Sequence, residues 1–172
     1  MENELAALFT GSAARRMVQY MERIRACAGR LSEEQIWTRG SANENAVGNL
    51  LLHLAGNVRQ WIISGVGGAA DVRRRDEEFA AKGNIPASGM LASLQSVVDE
   101  AVAIIGAQTA PQLAVKVTIQ GHEISKLEAI FHVVEHFALH AGQIMYAAKL
   151  LTHEDLGFYR YLGSITHGQK TP

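Results

Sequence analysis

Apolar residues recur at intervals of three and four along most of this 172-residue chain, a spacing typical of helices that bury one face. Alternation, the pattern of half-buried strands, is confined to one short stretch at 113–119. Only three prolines interrupt the chain, at Pro86, Pro111 and Pro172, so long helices fit between them. We therefore predict an all-α fold.

Four main helices are expected in a single domain spanning residues 1–172. The first, third and fourth helices are predicted at 4–28, 88–107 and 125–151. The second is predicted to begin between residues 41 and 45 and to end near residue 65. The start of the second helix stays open between Ser41, which has Glu44 at capping-box spacing, and Asn45. The fourth has a clearer start, because Ser125 and Glu128 match a capping box directly before an apolar run.

The connections between these helices are unequal in length. Residues 66–87 form a crossover longer than a helical hairpin needs, which favours a four-helix bundle with one long crossover. A short extended piece or hairpin is expected at 113–119, before the fourth helix. The tail, residues 152–172, is expected to pack partly on the bundle and to fray at its end.

Composition excludes several classes of protein. With 48% hydrophobic and 19% charged residues, the chain is richer in apolar residues than a disordered one. Its net charge of -1 argues against a nucleic-acid partner, and its single cysteine, Cys27, excludes a cysteine-rich zinc site. An acidic start and the lack of an apolar run near 20 residues indicate no membrane partner and a cytoplasmic location.

Three histidines lie at steps of four in the predicted fourth helix: His132, His136 and His140. An i, i+4 pair such as His136 and His140 lies on one side of a helix and can bind one metal ion. His53, in the middle of the apolar second helix, is the natural third ligand. Three protein ligands would leave open positions on the metal, as catalytic sites do. The alternative is a hydrogen-bonded histidine cluster in the core without metal.

The remaining histidines are expected to play smaller roles. His132 lies too far around the helix to join the same ion and is interpreted as a polar core residue or a support behind the ligands. His122 falls in the loop before the fourth helix. His153 and His167 fall in the tail and are assigned to solvent.

Two segments resemble the motifs of the DinB/YfiT-like superfamily. Residues 132–144 read His-Val-Val-Glu-His-Phe-Ala-Leu-His-Ala-Gly-Gln-Ile, and residues 48–61 begin Gly-Asn-Leu-Leu-Leu-His and end in Trp61. The closest similarity is to a subfamily of uncharacterised function. The resemblance implies a four-helix bundle, a homodimer, and a metal site made by His53, His136 and His140.

Such a site suggests two chemistries. A divalent ion on neutral imidazoles lowers the pKa of a bound water or thiol, which suits hydrolysis or transfer of a thiol. The resemblance implies the second, because the superfamily includes enzymes that use low-molecular-weight thiols. Imidazole ligands suit zinc, nickel or iron, and copper is also compatible.

Other residues are candidates for the pocket around the metal. Those on the expected apolar or histidine-bearing faces are Asn57, Trp61, Gln143 and Tyr20. Core packing is the alternative for Trp61 and Asn57, and Gln143 could hold a water or substrate. Glu135 points away from His136. The run Arg73–Arg75 could meet an anionic substrate or form a solvated face.

The sequence therefore predicts a metal-dependent enzyme acting on a small molecule, either a thiol-dependent S-transferase or a hydrolase. The alternative is a non-catalytic metal-binding or sensor protein of the same fold. An open coordination position beside a pocket favours the enzyme, and a fourth protein ligand favours the alternative.

Overall fold

Helices make up most of residues 1–164, the part of the chain that this computed structural model describes. In chain order the elements are α1 (Glu2–Ala28), α2 (Glu33–Ile36), α3 (Val47–Val58) continued by a π-helical segment (Arg59–Val66), α4 (Arg75–Ala80), α5 (Ala87–Gly106), α6 (Ala110–Leu113), β1 (Lys116–Ile119), β2 (His122–Ser125), α7 (Lys126–Thr152) and a 3-10 turn (Arg160–Ser164). The mainly helical fold that the periodicity predicts is confirmed.

The core lies where the long helices meet. α1 packs against α5 and α7, and α3 packs between α5 and α7. Each long helix contributes fully buried side chains from its apolar face, among them Met17, Leu51, Leu94, Phe137 and Ile130. Burial of these faces supplies most of the drive for folding, since a long side chain gains roughly 1.5–3 kcal/mol when it leaves water.

α3 begins at Val47, so the predicted start between Ser41 and Asn45 is wrong. Ala46 is the N-cap and has no capping side chain, but the Asn49 side chain accepts a hydrogen bond from the Ala46 N–H at 3.1 Å. Asn49, at the third position of the helix, thereby satisfies the N–H of the N-cap residue, as the Glu or Gln of a capping box does.

The last eight residues of this helical element form the π-helical segment, which carries Trp61. Gly65 in this segment lies against the hairpin, and a Cβ there would lie 2.8 Å from Ile119 Cγ1. The absence of a side chain at Gly65 therefore lets β1 approach the segment. π-helical turns within helices are frequent at functional sites.

The extended segment predicted before the last helix is an antiparallel hairpin of β1 and β2. Immediately after it, the Ser125 Oγ accepts a hydrogen bond from the Glu128 N–H at 3.2 Å. The Glu128 carboxylate in turn accepts from the Ser125 N–H at 2.7 Å. This capping box confirms the predicted start of α7.

The crossover between Gly67 and α5 is held on α3 by buried polar contacts. The Asn49 amide donates to the carbonyl oxygens of Glu78, at 3.0 Å, and Ala81, at 2.9 Å. Arg39 donates to Asn49 at 2.7 Å and to the Phe79 carbonyl at 3.3 Å. The charged run in the crossover is thus an anchored segment that contains α4.

α5 requires a correction to the sequence analysis. No apolar run near 20 residues was expected from the sequence, but this helix is 20 residues long and has a mean hydropathy of 1.3. By length and composition alone it could therefore span a membrane. Core helices of soluble proteins can have the same length and hydropathy, so one such helix is weak evidence for a membrane span. In the structure its residues Leu94, Val98, Ala101 and Ile105 are fully buried among the other helices.

The first part of the tail packs on the helices, as predicted. Leu156 is buried and Phe158 packs against the core. The end of the tail, including the predicted fraying and the solvent position of His167, lies outside the described residues.

Candidate metal centre

Three imidazole rings from two helices meet at one point. The Nε2 atom of His136 lies 3.1 Å from Nε2 of His53 and 3.2 Å from Nε2 of His140. The ligand atoms of the three residues all lie within 4.8 Å of one another. α3 supplies His53 and α7 supplies the other two, as the sequence predicts.

Hydrogen bonds on the far side of two rings fix which nitrogen carries the proton. His53 Nδ1 lies 3.0 Å from Glu78 Oε2, which only accepts, and 3.1 Å from Arg73 Nη2, which only donates. Arg73 Nη2 already donates to Glu78 Oε2 at 2.8 Å, so we assign the proton of His53 to Nδ1, which then donates to the same oxygen. His140 Nδ1 donates in the same way to Gln143 Oε1 at 2.7 Å. In a neutral ring the other nitrogen is then an acceptor, so His53 and His140 both direct a lone pair at His136.

The two contacts between the Nε2 atoms need two protons, but at most one is available, on Nε2 of His136. His136 Nε2 can donate to only one of its two neighbours, which leaves one contact between two acceptors. If Nε2 of His136 is unprotonated instead, its proton is on the buried Nδ1, and three Nε2 acceptors then face one another without a proton among them. A cation among the three nitrogens removes the conflict.

The spacing of the nitrogens also fits a metal ion. Nitrogens about 2.0–2.1 Å from a tetrahedral zinc are separated by roughly 3.3–3.4 Å. The observed separations of 3.1 and 3.2 Å are close to that value. The donor set is therefore suited to a divalent transition metal, and zinc, nickel and iron all accept imidazole.

Two rings of the cluster are held in the neutral form that binds metal. Burial, with the nearby His140, His53, His132 and Arg73, lowers the pKa of His136 to about 3. Burial also lowers the pKa of His140, although the bond to Gln143 opposes this. Protons therefore compete weakly for these two ligands at neutral pH.

A buried ion pair stands behind His53. Glu78 is 8% exposed, and Arg73 binds it through two nitrogens, with Nε 2.7 Å from Oε1 and Nη2 2.8 Å from Oε2. Burial raises the pKa of the Glu78 carboxyl, but the hydrogen bonds and charges of Arg73 and His53 lower it overall. The carboxylate therefore stays ionised and accepts from His53.

Gly56 makes room for this ion pair. A Cβ at that position would lie 2.8 Å from Glu78 Cδ and 3.1 Å from Arg73 Nε. Gly56 is three residues after His53 on α3, on the side where α4 packs. The helix surface is thus shaped to admit the carboxylate that fixes His53.

The three histidines line a cleft of about 720 Å³. Its wall includes the predicted pocket residues Asn57 and Trp61, both about 95% buried, together with His132. The His132 ring packs against Trp61, with ring centroids 4.1 Å apart, and 5.7 Å from His136. His132 thus lies beside the ligand cluster, as its angle on the helix predicts.

Several expectations are confirmed or corrected at this cleft. Gln143 bonds to His140, as described, and does not line the cleft wall. Tyr20, also expected in the pocket, packs against the core and is not among the residues that line the cleft. His122 begins β2 and contributes to the cleft mouth, whereas His153 is exposed at the end of α7.

Glu78 and Arg73 are the site residues that sequence reasoning missed. In the sequence they belong to a charged run that is usually solvent-exposed, so Arg73 in particular was expected to bind an anion or water. One general rule could have pointed to Glu78. A histidine that binds a metal usually donates its other ring N–H to an acceptor such as a carboxylate, so an acidic residue was to be sought for His53.

The comparisons with known proteins agree with this structure. A family described as "Protein of unknown function (DUF1572)" matches residues 4–168. A DinB-like protein from Bacillus subtilis has a similar structure, with a TM-score of 0.66 at 15% identity over 86% of this chain and 97% of that one. A DinB-like protein from Bacillus cereus gives 0.61 at 15% identity, over 79% and 91%.

No curated protein matches the sequence significantly. At 15% identity the two solved structures establish the fold, while the family match covers nearly the whole chain. The chain therefore belongs to the DUF1572 family and has the DinB-like fold.

Proposed function

We propose that this protein is a divalent-metal-dependent enzyme whose metal is held by His53, His136 and His140. The observation that carries the proposal is the convergence of three Nε2 atoms, with separations of 3.1 and 3.2 Å between neighbours. Hydrogen bonding among the rings cannot satisfy them, and a cation can.

Three protein ligands favour catalysis over a structural role. Structural zinc sites are normally closed by four protein ligands, whereas catalytic ones keep a position for water or substrate. His132, the nearest further imidazole, packs on Trp61 and is outside the three-histidine group. A bound ion would supply Lewis acidity and lower the pKa of a water or thiol that reaches it.

The chain's own residues orient the ligands and shape the substrate site. Glu78 and Gln143 hold the protons of His53 and His140 on Nδ1 and keep Nε2 free. The apolar rings of Trp61 and Phe79 line the cleft and limit water around the ligands. A cleft of about 720 Å³ suits a small organic molecule.

For the reaction, we propose transfer of a low-molecular-weight thiol to an electrophile, or hydrolysis. The resemblance to DinB-like proteins supports the thiol reaction, and the site chemistry is compatible with both. A non-catalytic metal-binding or sensor role is the alternative. The proposal includes a cytoplasmic homodimer in which each chain is one four-helix-bundle domain with a long crossover and no nucleic-acid or membrane partner.

Metal analysis of protein purified without chelator, beside its His140→Ala variant, tests the site. We expect about one equivalent of divalent metal per chain, lost in the variant, because two imidazoles bind more weakly than three. His132→Ala is the matched control and should keep its metal. Absence of metal after incubation with zinc, nickel, manganese and iron(II) would contradict the proposal.

Turnover separates the enzyme from the binding protein. The metal-loaded protein is assayed with low-molecular-weight thiols plus an aromatic electrophile, and with activated esters. Activity that disappears with the metal and in His140→Ala supports the enzyme and identifies its reaction class. A full equivalent of metal without turnover of any substrate in either panel would favour the sensor or binding role.

A further inference from the structure

The three consecutive arginines of the crossover have three different environments. The charge of Arg73 is compensated, since it donates to Glu78 twice and to Gln60 Oε1 at 2.9 Å. Arg74 is exposed and pairs with Glu77 at 3.2 Å. Arg75 lines the metal cleft and has no acidic partner in the described part of the chain. Only Arg75 therefore presents an uncompensated charge to the cleft.

Arg75 is held close to the histidine cluster by an aromatic ring. Its guanidinium carbon lies 4.9 Å from the centre of the Phe79 ring, which in turn lies 4.8 Å from the ring of His53. Arg75 and Phe79 both belong to α4. The side chains of Asn49 and Arg39 hold α4 on α3 by donating hydrogen bonds to backbone carbonyl oxygens of residues 78–81. The guanidinium is thus positioned one ring away from the metal ligands.

Two carboxylates at the cleft, Glu78 and Glu128, are already paired, whereas Glu135, near His132, has no ion pair among residues 1–164. Glu78 accepts from Arg73 and His53. Glu128 accepts from the Ser125 N–H at 2.7 Å and lies 3.5 Å from Lys116. With a divalent ion on neutral histidines, the cleft would carry excess positive charge, and such clefts concentrate anions.

A second observation concerns two buried polar atoms of the cleft wall without partners among residues 1–164: Asn57 Oδ1, which needs a donor, and Trp61 Nε1, which needs an acceptor. The indole N–H of Trp61 is a donor only, and Trp61 is 5% exposed in the cleft wall. Its Nε1 atom has no acceptor among residues 1–164. A buried donor without a partner is unfavourable, so an acceptor supplied by a ligand would stabilise the indole N–H.

We propose that the cleft binds a small molecule bearing an oxyanion, a carboxylate or a phosphate, and that Arg75 is its anchor. The anion would sit on the guanidinium while the rest of the molecule extends toward His53, His136 and His140. This inference rests on the proposed function, because it assigns the substrate class of the same site.

Titration with simple probes tests the anchor. Succinate and methyl phosphate represent the two oxyanions, and succinamide is the neutral control. Binding is followed by NMR in low-chloride buffer through the indole N–H signal of Trp61, with the indole of Trp37 as an internal reference. The side-chain N–H signals of Arg75 are followed as well in the proteins that keep this residue. The proteins are wild type, Arg75→Gln, Arg75→Lys and the matched control Arg74→Gln, each with and without metal.

We expect Arg75→Gln to weaken binding of an anion about five- to tenfold, as loss of one charge-assisted contact at a part-exposed site implies. Arg74→Gln should stay within about twofold of wild type, and Arg75→Lys should recover part of the loss. Succinamide should not distinguish the variants. Whichever of the two oxyanions shows the Arg75 dependence identifies the anionic group.

Equal affinities of Arg75→Gln and Arg74→Gln for both anions, or no anion binding by wild type in either form, would overturn the anchor. Metal content, measured separately, shows whether the proposed metal site has failed instead. If no metal binds, the contrast between Arg75→Gln and Arg74→Gln in metal-free protein still decides the question.

Discussion

Substitution of Gly56 by alanine should destabilise the fold, although the same change elsewhere in a helix usually stabilises it. Alanine gains about 1 kcal/mol of helix propensity over glycine. At Gly56, however, the new Cβ would lie 2.8 Å from Glu78 Cδ, which belongs to a carboxylate paired with Arg73. The carboxylate must move, and the ion pair and its bond to His53 must open.

The structure sets the size of the effect. The side chains of Arg73 and Glu78 are 3% and 9% exposed, so the pair is desolvated. Breaking a buried pair costs about 3–5 kcal/mol, and the helix gain offsets about 1 kcal/mol of it, which leaves a net loss of roughly 2–4 kcal/mol. For a chain of this size that corresponds to a Tm lower by about 5–15 °C.

The assay is thermal unfolding of the metal-free protein, followed by metal affinity in competition with a chelator. Gly142→Ala is the matched control, because a Cβ there meets nothing within 4 Å. It should raise stability by up to about 1 kcal/mol. For Gly56→Ala we expect metal affinity about 10–100-fold lower, because His53 loses the carboxylate that orients it. A Gly56→Ala protein that matches Gly142→Ala in stability and wild type in metal affinity would refute this reasoning.

Three further predictions concern the ligands and the helix that carries them. His53→Ala, His136→Ala and His140→Ala should each abolish metal binding, whereas His132→Ala should keep most of it; equal loss in all four, measured by metal analysis, would contradict the ligand assignment. In metal-free protein the pKa of His136 is about 3 when folded and about 6.5 when unfolded. The unfolded chain therefore binds more protons between those values, so the free energy of unfolding should fall as pH falls from 6.5 to 3. Denaturant titrations at several pH values should show that the free energy of unfolding depends less on pH in His136→Gln than in wild type. The same dependence on pH in both proteins would contradict the prediction. Ser125→Ala removes the N-cap of α7 and should cost about 1 kcal/mol in the same assay, with no loss of metal stoichiometry.

Local patterns in the sequence determined the elements and the ligand set. The period of the apolar residues located the long helices, because each must bury one stripe. The step of four placed His136 and His140 on one side of α7, and the polar ring of His53 within an apolar helix indicated a partner across the core. The capping box of Ser125 and Glu128 marked the start of α7 because it depends on neighbouring residues alone.

Only the tertiary structure decided what surrounds the ligands. The start of α3 at Val47, the position of Tyr20 outside the cleft and the place of the hairpin all depend on which surfaces pack together. Glu78 reaches His53 only because Asn49 binds the backbone of the crossover and Gly56 leaves space for the carboxylate. These contacts join residues that are far apart in sequence, and periodicity and spacing report only on near neighbours. For that reason one charged run contains an ion pair behind His53, a solvated arginine and an arginine at the cleft.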